Sequence, residues 1–335
     1  MVSFLSLFTP MIKIFVLVAM GFFLKKTEQF PQDFFDQLSK LLVRFFLPIY
    51  FFAKFAKTDL SLLKDAWLFP VSAAIIVLAA MAIAFASSIL IPAKILPREE
   101  RKAYIALSAF GNSGYLPITN LEILATIPLI MQSFGKDLPG IYIGAYLIGS
   151  STLLWTAGYS LITNTRITSV KKLLTPTVKG ILLGLLIPLT GIQPIILSNK
   201  LPFLSIIDTL GDMGATIMPL ILICLGAMLA GISVNTTEAK RYTGIALAIS
   251  GIRLIALPIL FYASYFLFLK TTAISKPALW VLFLETHTPT ATNLSVMAMG
   301  ANQHRDITGI TLFVAYIVYL FIFPISLSIF LGLVL

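Results

Sequence analysis

The sequence predicts an all-α membrane protein of ten transmembrane helices, built as two inverted five-helix repeats with broken crossover helices in spans 4 and 9. Three observations carry that prediction. The 335 residues are 58% hydrophobic and only 11% charged, against about 25% charged and 45–50% apolar residues in a soluble domain. The apolar residues fall in continuous runs of roughly 20, the length that crosses a bilayer. Two of those runs are interrupted by clusters of Gly, Pro, Asn and Thr at corresponding places. So large an apolar excess cannot be buried in a water-soluble particle of this length. A soluble enzyme, a disordered binder and a disulfide-stapled secreted domain are excluded, the last also because Cys224 is the single cysteine. Strands of a membrane barrel are excluded too, since those alternate over about ten residues.

The spans follow in order at about 4–24, 38–56, 67–91, 104–134, 141–163, 178–196, 206–232, 242–269, 277–301 and 307–333. The first is expected to be retained. No basic region precedes it, Lys13 interrupts it, and Lys25-Lys26 follow without a small-x-small cleavage site. The connections are short, so no soluble domain is inserted. The net charge of +10 reads as basic residues flanking membrane helices, and no nucleic-acid partner is expected. Fourteen basic residues follow the odd spans: Lys25, Lys26, Lys40, Lys94, Arg98, Arg101, Lys102, Arg166, Lys171, Lys172, Lys179, Lys240, Arg241 and Arg305. Seven follow the even ones: Lys54, Lys57, Lys64, Lys136, Lys200, Lys270 and Lys276. That bias places the odd loops in the cytoplasm and both termini outside.

The basic connection 166–176 divides the chain into a first repeat, 1–165, and a second, 177–335. Five spans per half oblige the second half to enter the membrane upside down. Pro48 and Pro219 are 171 residues apart, and Pro117 and Pro289 are 172 apart. Around the latter pair, span 4 reads Gly111-Asn112-Ser113-Gly114-Tyr115-Leu116-Pro117-Ile118-Thr119-Asn120 and span 9 reads Thr288-Pro289-Thr290-Ala291-Thr292-Asn293. Proline removes a backbone donor and clashes with the preceding turn. The freed N–H and C=O groups cost several kcal/mol each in lipid, so they must face protein or a cavity. Two half-helices per span, meeting at mid-membrane, would present unpaired N–H groups and positive dipole ends, a ready anion site. The expected substrate-binding residues are therefore Asn112, Ser113, Tyr115, Pro117, Thr119, Asn120, Thr288, Pro289, Thr290 and Asn293. The competing reading is a proline kink in each span, with Ser and Thr bonding back to the chain.

Ionisable groups at membrane depth are costly and point to function. Glu285, Glu122 and His287 are the candidates for a coupling-ion or proton site; His287 reads equally as a neutral imidazole bonded to backbone. Arg253 either pairs with a glutamate, steers an anion, or snorkels to an interface. Among the aromatics only Tyr115 reads as a site residue. No phosphate loop, metal-ligand spacing or catalytic set is present, so neither enzyme chemistry nor a bound cofactor or metal is expected, beyond Na+ or H+ as a coupling ion.

Nearly the whole chain resembles the auxin efflux carrier family of transporters. The likeness rests on Gly21-Phe-Phe-Leu-Lys-Lys26, Leu47-Pro48, Gly111-Asn-Ser-Gly-Tyr-Leu-Pro117, Met218-Pro-Leu-Ile-Leu-Ile-Cys-Leu-Gly226 and Thr288-Pro-Thr-Ala-Thr-Asn293. The resemblance implies a scaffold domain and a moving transport domain, each drawn from both repeats. It also implies an elevator-type cycle, a homodimer, and small organic anions such as indole-3-acetate, malonate or malate as substrates. Its crossover prolines map to Pro117 and Pro289, and its asparagines to Asn112, Asn120 and Asn293. The short middle linker departs from plant carriers with a long central loop. Glu285 is similar in place to the sodium-holding glutamate of the wider superfamily of bile acid symporters. The expected function is thus a secondary transporter of small organic anions in a cell membrane, bacterial inner membrane fitting the short loops. The alternatives are a sodium- or proton-coupled symporter of a bulkier amphipathic anion, or a non-transporting sensor or channel. Besides the anion and membrane lipid, no partner is expected.

Overall fold

A computed structural model describes residues 4–165, 174–198, 202–231, 238–272 and 274–335. Arg166, Lys171, Lys172 and Lys200, and all but the end of the predicted linker, lie outside the described residues. Those described are helical, with no strand and one isolated antiparallel bridge between Gly111 and Thr290.

The helices of the first half are α1 (Phe4–Lys26), α2 (Gln32–Leu41), α3 (Leu47–Ala56), α4 (Leu68–Leu90), α5 (Arg101–Ala109), α6 (Tyr115–Leu124), α7 (Pro128–Phe134), α8 (Asp137–Leu153) and α9 (Tyr159–Thr163). Those of the second are α10 (Pro176–Leu189), α11 (Gln193–Ile196), α12 (Phe203–Ala215), α13 (Ile217–Ala230), α14 (Ala239–Gly251), α15 (Leu257–Ser264), α16 (Lys276–Thr286), α17 (Asn293–Gly300) and α18 (Arg305–Val334). Five stretches are long and apolar enough to cross a membrane: Leu60–Leu90, Asp137–Thr163, Phe203–Ala230, Ala239–Leu269 and Arg305–Val334.

Local chemistry sets the ends and bends. Pro48 and Pro258 each stand at the second position of a helix, directly after a π turn, Leu42–Phe46 and Ile252–Ala256. A proline cannot donate to the carbonyl four residues back, and one wider turn absorbs the mismatch. Thr175 caps α10 through Val178 N (3.3 Å), and Ser275 caps α16 through Ala278 N (3.4 Å), each satisfying one of the donors a helix start leaves open.

Packing sorts the helices into two groups. In one, α1 runs along α13, and α3 along α10 and α12; in the other, α14 runs along α18, and α4 along α5 and α8. The groups meet where α6 and α18 lie against α1, and α3 against α8. In lipid, apolar burial does not drive helices together, so close packing and specific contacts must. An aromatic stack supplies some of these. Trp280 on α16, fully buried, lies 5.1 Å from the Phe134 ring of α7 and 5.6 Å from the Phe330 ring of α18. Such pairs contribute about 0.5–1.5 kcal/mol each beyond area. They anchor α16 two turns before it stops at Thr286.

Candidate functional site

The helix ending at Ala109 resumes at Tyr115, and the one ending at Thr286 resumes at Asn293. The two gaps lie side by side. Asn112 N donates to Pro289 O (2.8 Å), and Ala291 N to Phe110 O (2.9 Å). Thr290 Oγ1 donates to Leu107 O (2.9 Å), and the Arg253 guanidinium to Thr288 O and Ala109 O. Several of the backbone groups released by each break, those of Ala109, Phe110, Asn112, Thr288, Pro289 and Ala291, are thus satisfied by the other break and by the Arg253 side chain, as a low-dielectric interior demands. The two breaks differ in position. Pro289 lies inside its gap, whereas Pro117 sits in the first turn of α6, where its missing N–H leaves no bond unmade. Gly111 to Gly114 open the first gap instead. At Gly111 a Cβ would overlap Arg253 Nη2 and Thr288 Oγ1, so only glycine lets the second segment approach this closely.

Side chains reinforce the pairing. Tyr115 Oη and Thr292 Oγ1 are hydrogen-bonded between the starts of α6 and α17. Asn112 Nδ2 donates to Tyr316 Oη (2.5 Å) and Asn120 Nδ2 to Tyr319 Oη (2.7 Å). Tyr316 and Tyr319 are three residues apart on α18 and so lie on one helix face. They hold the first gap, at Asn112, and α6, at Asn120, against α18.

One face of this assembly forms the floor of a cavity of about 1200 Å³. Gly111, Asn112, Ser113, Gly114 and Tyr115 reach it from the first break, and Ala291, Thr292, Asn293 and Ser295 from the second. Ile76, Val77, Leu147, Leu154, Trp155, Ile221, Leu225 and Met228 give apolar walls. Lys25, Lys40, Arg44 and Arg305 stand with Asp36 and Asp306 at the mouth, which follows the ends of α1, α13 and α17 and the starts of α10 and α18. Cys224 is also in the wall.

Of the expected substrate residues, Asn112, Ser113, Tyr115 and Asn293 line this cavity, and Thr292 joins them. Pro117, Thr119, Asn120, Thr288, Pro289 and Thr290 lie behind the floor, buried. Thr119 Oγ1 bonds back to Tyr115 O (2.7 Å), and Thr288 Oγ1 donates to Glu285 O (3.0 Å). Both have the back-bonding habit of hydroxyls in membrane helices.

The three titratable candidates part company. Glu285 is fully buried next to the second break, and neither carboxylate oxygen has a hydrogen-bond partner among the described residues. The Ser113 hydroxyl and the Arg253 guanidinium face it. His287 is 2% exposed, with Nδ1 2.7 Å from Phe283 O. It thus takes the backbone-bonded form, and it does not line the cavity. Glu122 lies about 10 Å along α6 from the break, at 1.5 Å per residue. There it meets Tyr50 Oη (3.3 Å) and Lys136 Nζ (3.6 Å), beside a second ion pair, Lys54 to Asp137 (3.6 Å). Those contacts tie α3 to α6 and α8 at the end of the molecule away from the cavity mouth.

Sequence reading missed Tyr316 and Tyr319, because a tyrosine in an apolar helix reads as packing or as an interface residue. The signal was the Tyr-x-x-Tyr spacing, which puts two hydroxyls on one face at membrane depth. Arg253 was singled out; of its expected roles snorkelling is ruled out, since it is 1% exposed.

The family model described as membrane transport protein matches residues 6–165 and again 160–327. No curated protein matches the chain.

Proposed function

The chain belongs to this membrane transport protein family, that of the auxin efflux carriers, and from that premise we propose that it is a secondary transporter of small organic anions working by alternating access. The observation that carries the proposal is the cavity floor. Two helix starts, at Tyr115 and Asn293, meet there with Asn112, Ser113 and Thr292, while the carboxylates among the described lining residues, Asp36 and Asp306, stand at the mouth. The substrate carboxylate sits on this floor, against N–H groups and amides, while an apolar portion packs on the walls. Helix starts of this kind stabilise an anion by roughly 0.3–1 kcal/mol each when exposed and up to about 2 when partly buried.

Ten spans in two inverted five-helix repeats are supported by the doubled family match and by recurring packing. α1 lies on α13 as α10 lies on α3, and α4 lies on α8 as α14 lies on α18. The first of these groups is the scaffold, and the second, which holds both breaks, is the transport unit of an elevator. Basic residues at the mouth support a cytoplasmic location for that end; on this reading the conformation is inward-open, in a cell membrane of bacterial type with both termini outside. A homodimer through the scaffold is part of the same proposal.

Uptake into proteoliposomes tests it. Radiolabelled malonate or indole-3-acetate should enter saturably and show counterflow. A channel would not saturate, and a sensor would move nothing.

Glu285 favours a cation-coupled variant of the reading. A carboxylate buried with no hydrogen bond and no ion-pair contact, the Arg253 guanidinium lying near but not on it, is costly unless a proton or metal cation neutralises it. Glu285→Gln is expected to keep counterflow within about threefold of wild type, since exchange needs no net coupling, but to lose all stimulation by an imposed sodium or proton gradient. Stimulation equal to wild type would remove Glu285 from coupling.

A further inference from the structure

One side chain joins both interrupted helices. Arg253 is carried by the π turn Ile252–Ala256 between α14 and α15 and is 1% exposed. Its Nε and Nη2 donate to Thr288 O (3.0 and 2.8 Å), Nη2 donates also to Thr288 Oγ1 (2.6 Å), and Nη1 donates to Ala109 O (3.3 Å). Ala109 is the last residue of α5, and Thr288 lies two residues beyond the end of α16. These are carbonyls of the kind a helix leaves open where it stops. A guanidinium offers donors in a rigid planar fork, so a single arginine can hold two carbonyls at a set separation; a lysine ammonium cannot. The tie has no counterpart in the other repeat. The positions 171 and 172 residues earlier are Ala82 and Met81, both in α4. Among the described residues no carboxylate forms an ion pair with Arg253. Its hydrogen-bond acceptors are all neutral, with the Glu285 carboxyl nearby but not bonded to it; burying a charge is expensive, and a neutral amide could serve for a tie that was structural alone.

We propose that Arg253 is the positioning residue of the crossover: its fork fixes the separation of the two breaks, so that the starts of α6 and α17 converge on one anion. The ligand part rests on the transporter reading above; the tie itself does not.

The test compares wild type, Arg253→Lys and Arg253→Met in proteoliposomes. Hydrogen exchange is followed over 110–114 and 287–292, and initial uptake is measured against concentration of malonate or indole-3-acetate. Arg253→Met is expected to exchange about 10-fold faster at both breaks, with α4 and α8 unchanged, and Arg253→Lys to fall between. KM should rise about 10-fold while the maximal rate stays within about threefold, because positioning acts on binding and not on the amount of working protein. Unchanged exchange at both breaks would overturn the proposal, as would an unchanged KM with a maximal rate lowered in step with lost protein. Should Arg253→Met fail to reconstitute, Arg253→Lys decides on the same two criteria. Should wild type take up neither anion, the transporter reading falls and exchange alone decides the tie.

Discussion

Asn293→Ala is expected to raise the KM for the transported anion about 10- to 100-fold, because a hydrogen bond to a charged group contributes about 1.5–3 kcal/mol. Asn293 is the first residue of α17, half-buried, and lines the cavity floor. Its amide has no side-chain partner among the described residues, so its removal disturbs no internal bond and the folded state should keep its thermal stability. Asn120→Ala makes the contrasting control. Asn120 is 1% exposed, and its amide donates to the equally buried Tyr319 hydroxyl. Truncation leaves that hydroxyl without its donor and should cost about 1–3 kcal/mol of stability, seen as a lower melting temperature with KM nearly unchanged. Uptake kinetics and thermal unfolding of the two variants separate an anion contact from an internal clamp. An Asn293→Ala protein with wild-type KM would remove that residue from the site.

Gly226→Leu should be the most damaging single change to the fold. A Cβ at Gly226 would overlap the carbonyl oxygen of Val18, and one at Gly21 the carbonyl oxygen of Ile223. α1 and α13 therefore touch backbone to backbone, the approach that small residues permit in membrane helices. Over-packing costs about 1–3 kcal/mol where side chains can shift; here the obstructing atoms belong to a helix backbone and cannot. The expected result is loss of monodisperse protein on detergent extraction. Gly244→Leu should extract normally, since a Cβ there meets nothing within 4 Å. Equal behaviour of the two variants would mean the α1–α13 contact is not close.

The helical class was legible because membrane solvation acts on some twenty residues together, and single departures such as Lys13 do not cancel it. The breaks were legible because Gly, Pro and Asn weaken a helix locally. Their edges were less so. Pro117 looks like a breaker in sequence but stands where a helix start has no bond to lose, and the gap opens earlier, at Gly111. Partners supplied by distant segments could not be read. Arg253 finds its carbonyls 35 and 144 residues away, and Asn112 finds Tyr316 across 204. Glu122 and Glu285 looked alike as acids near a proline. Only the fold sets one against Lys136 and Tyr50 at a half-exposed edge and seals the other beside the crossover.

On this reading the paired breaks hold an anion at the cavity floor. Anomalous scattering from crystals of the protein soaked with 3-bromopropionate locates such an anion directly. A bromine peak is expected inside the cavity against the apolar wall, with the carboxylate about 3 Å from the Asn293 amide and from N–H groups at the starts of α6 and α17. A fully occupied anion found only at the mouth, beside Lys25, Lys40 or Arg305, with none on the floor, would contradict it.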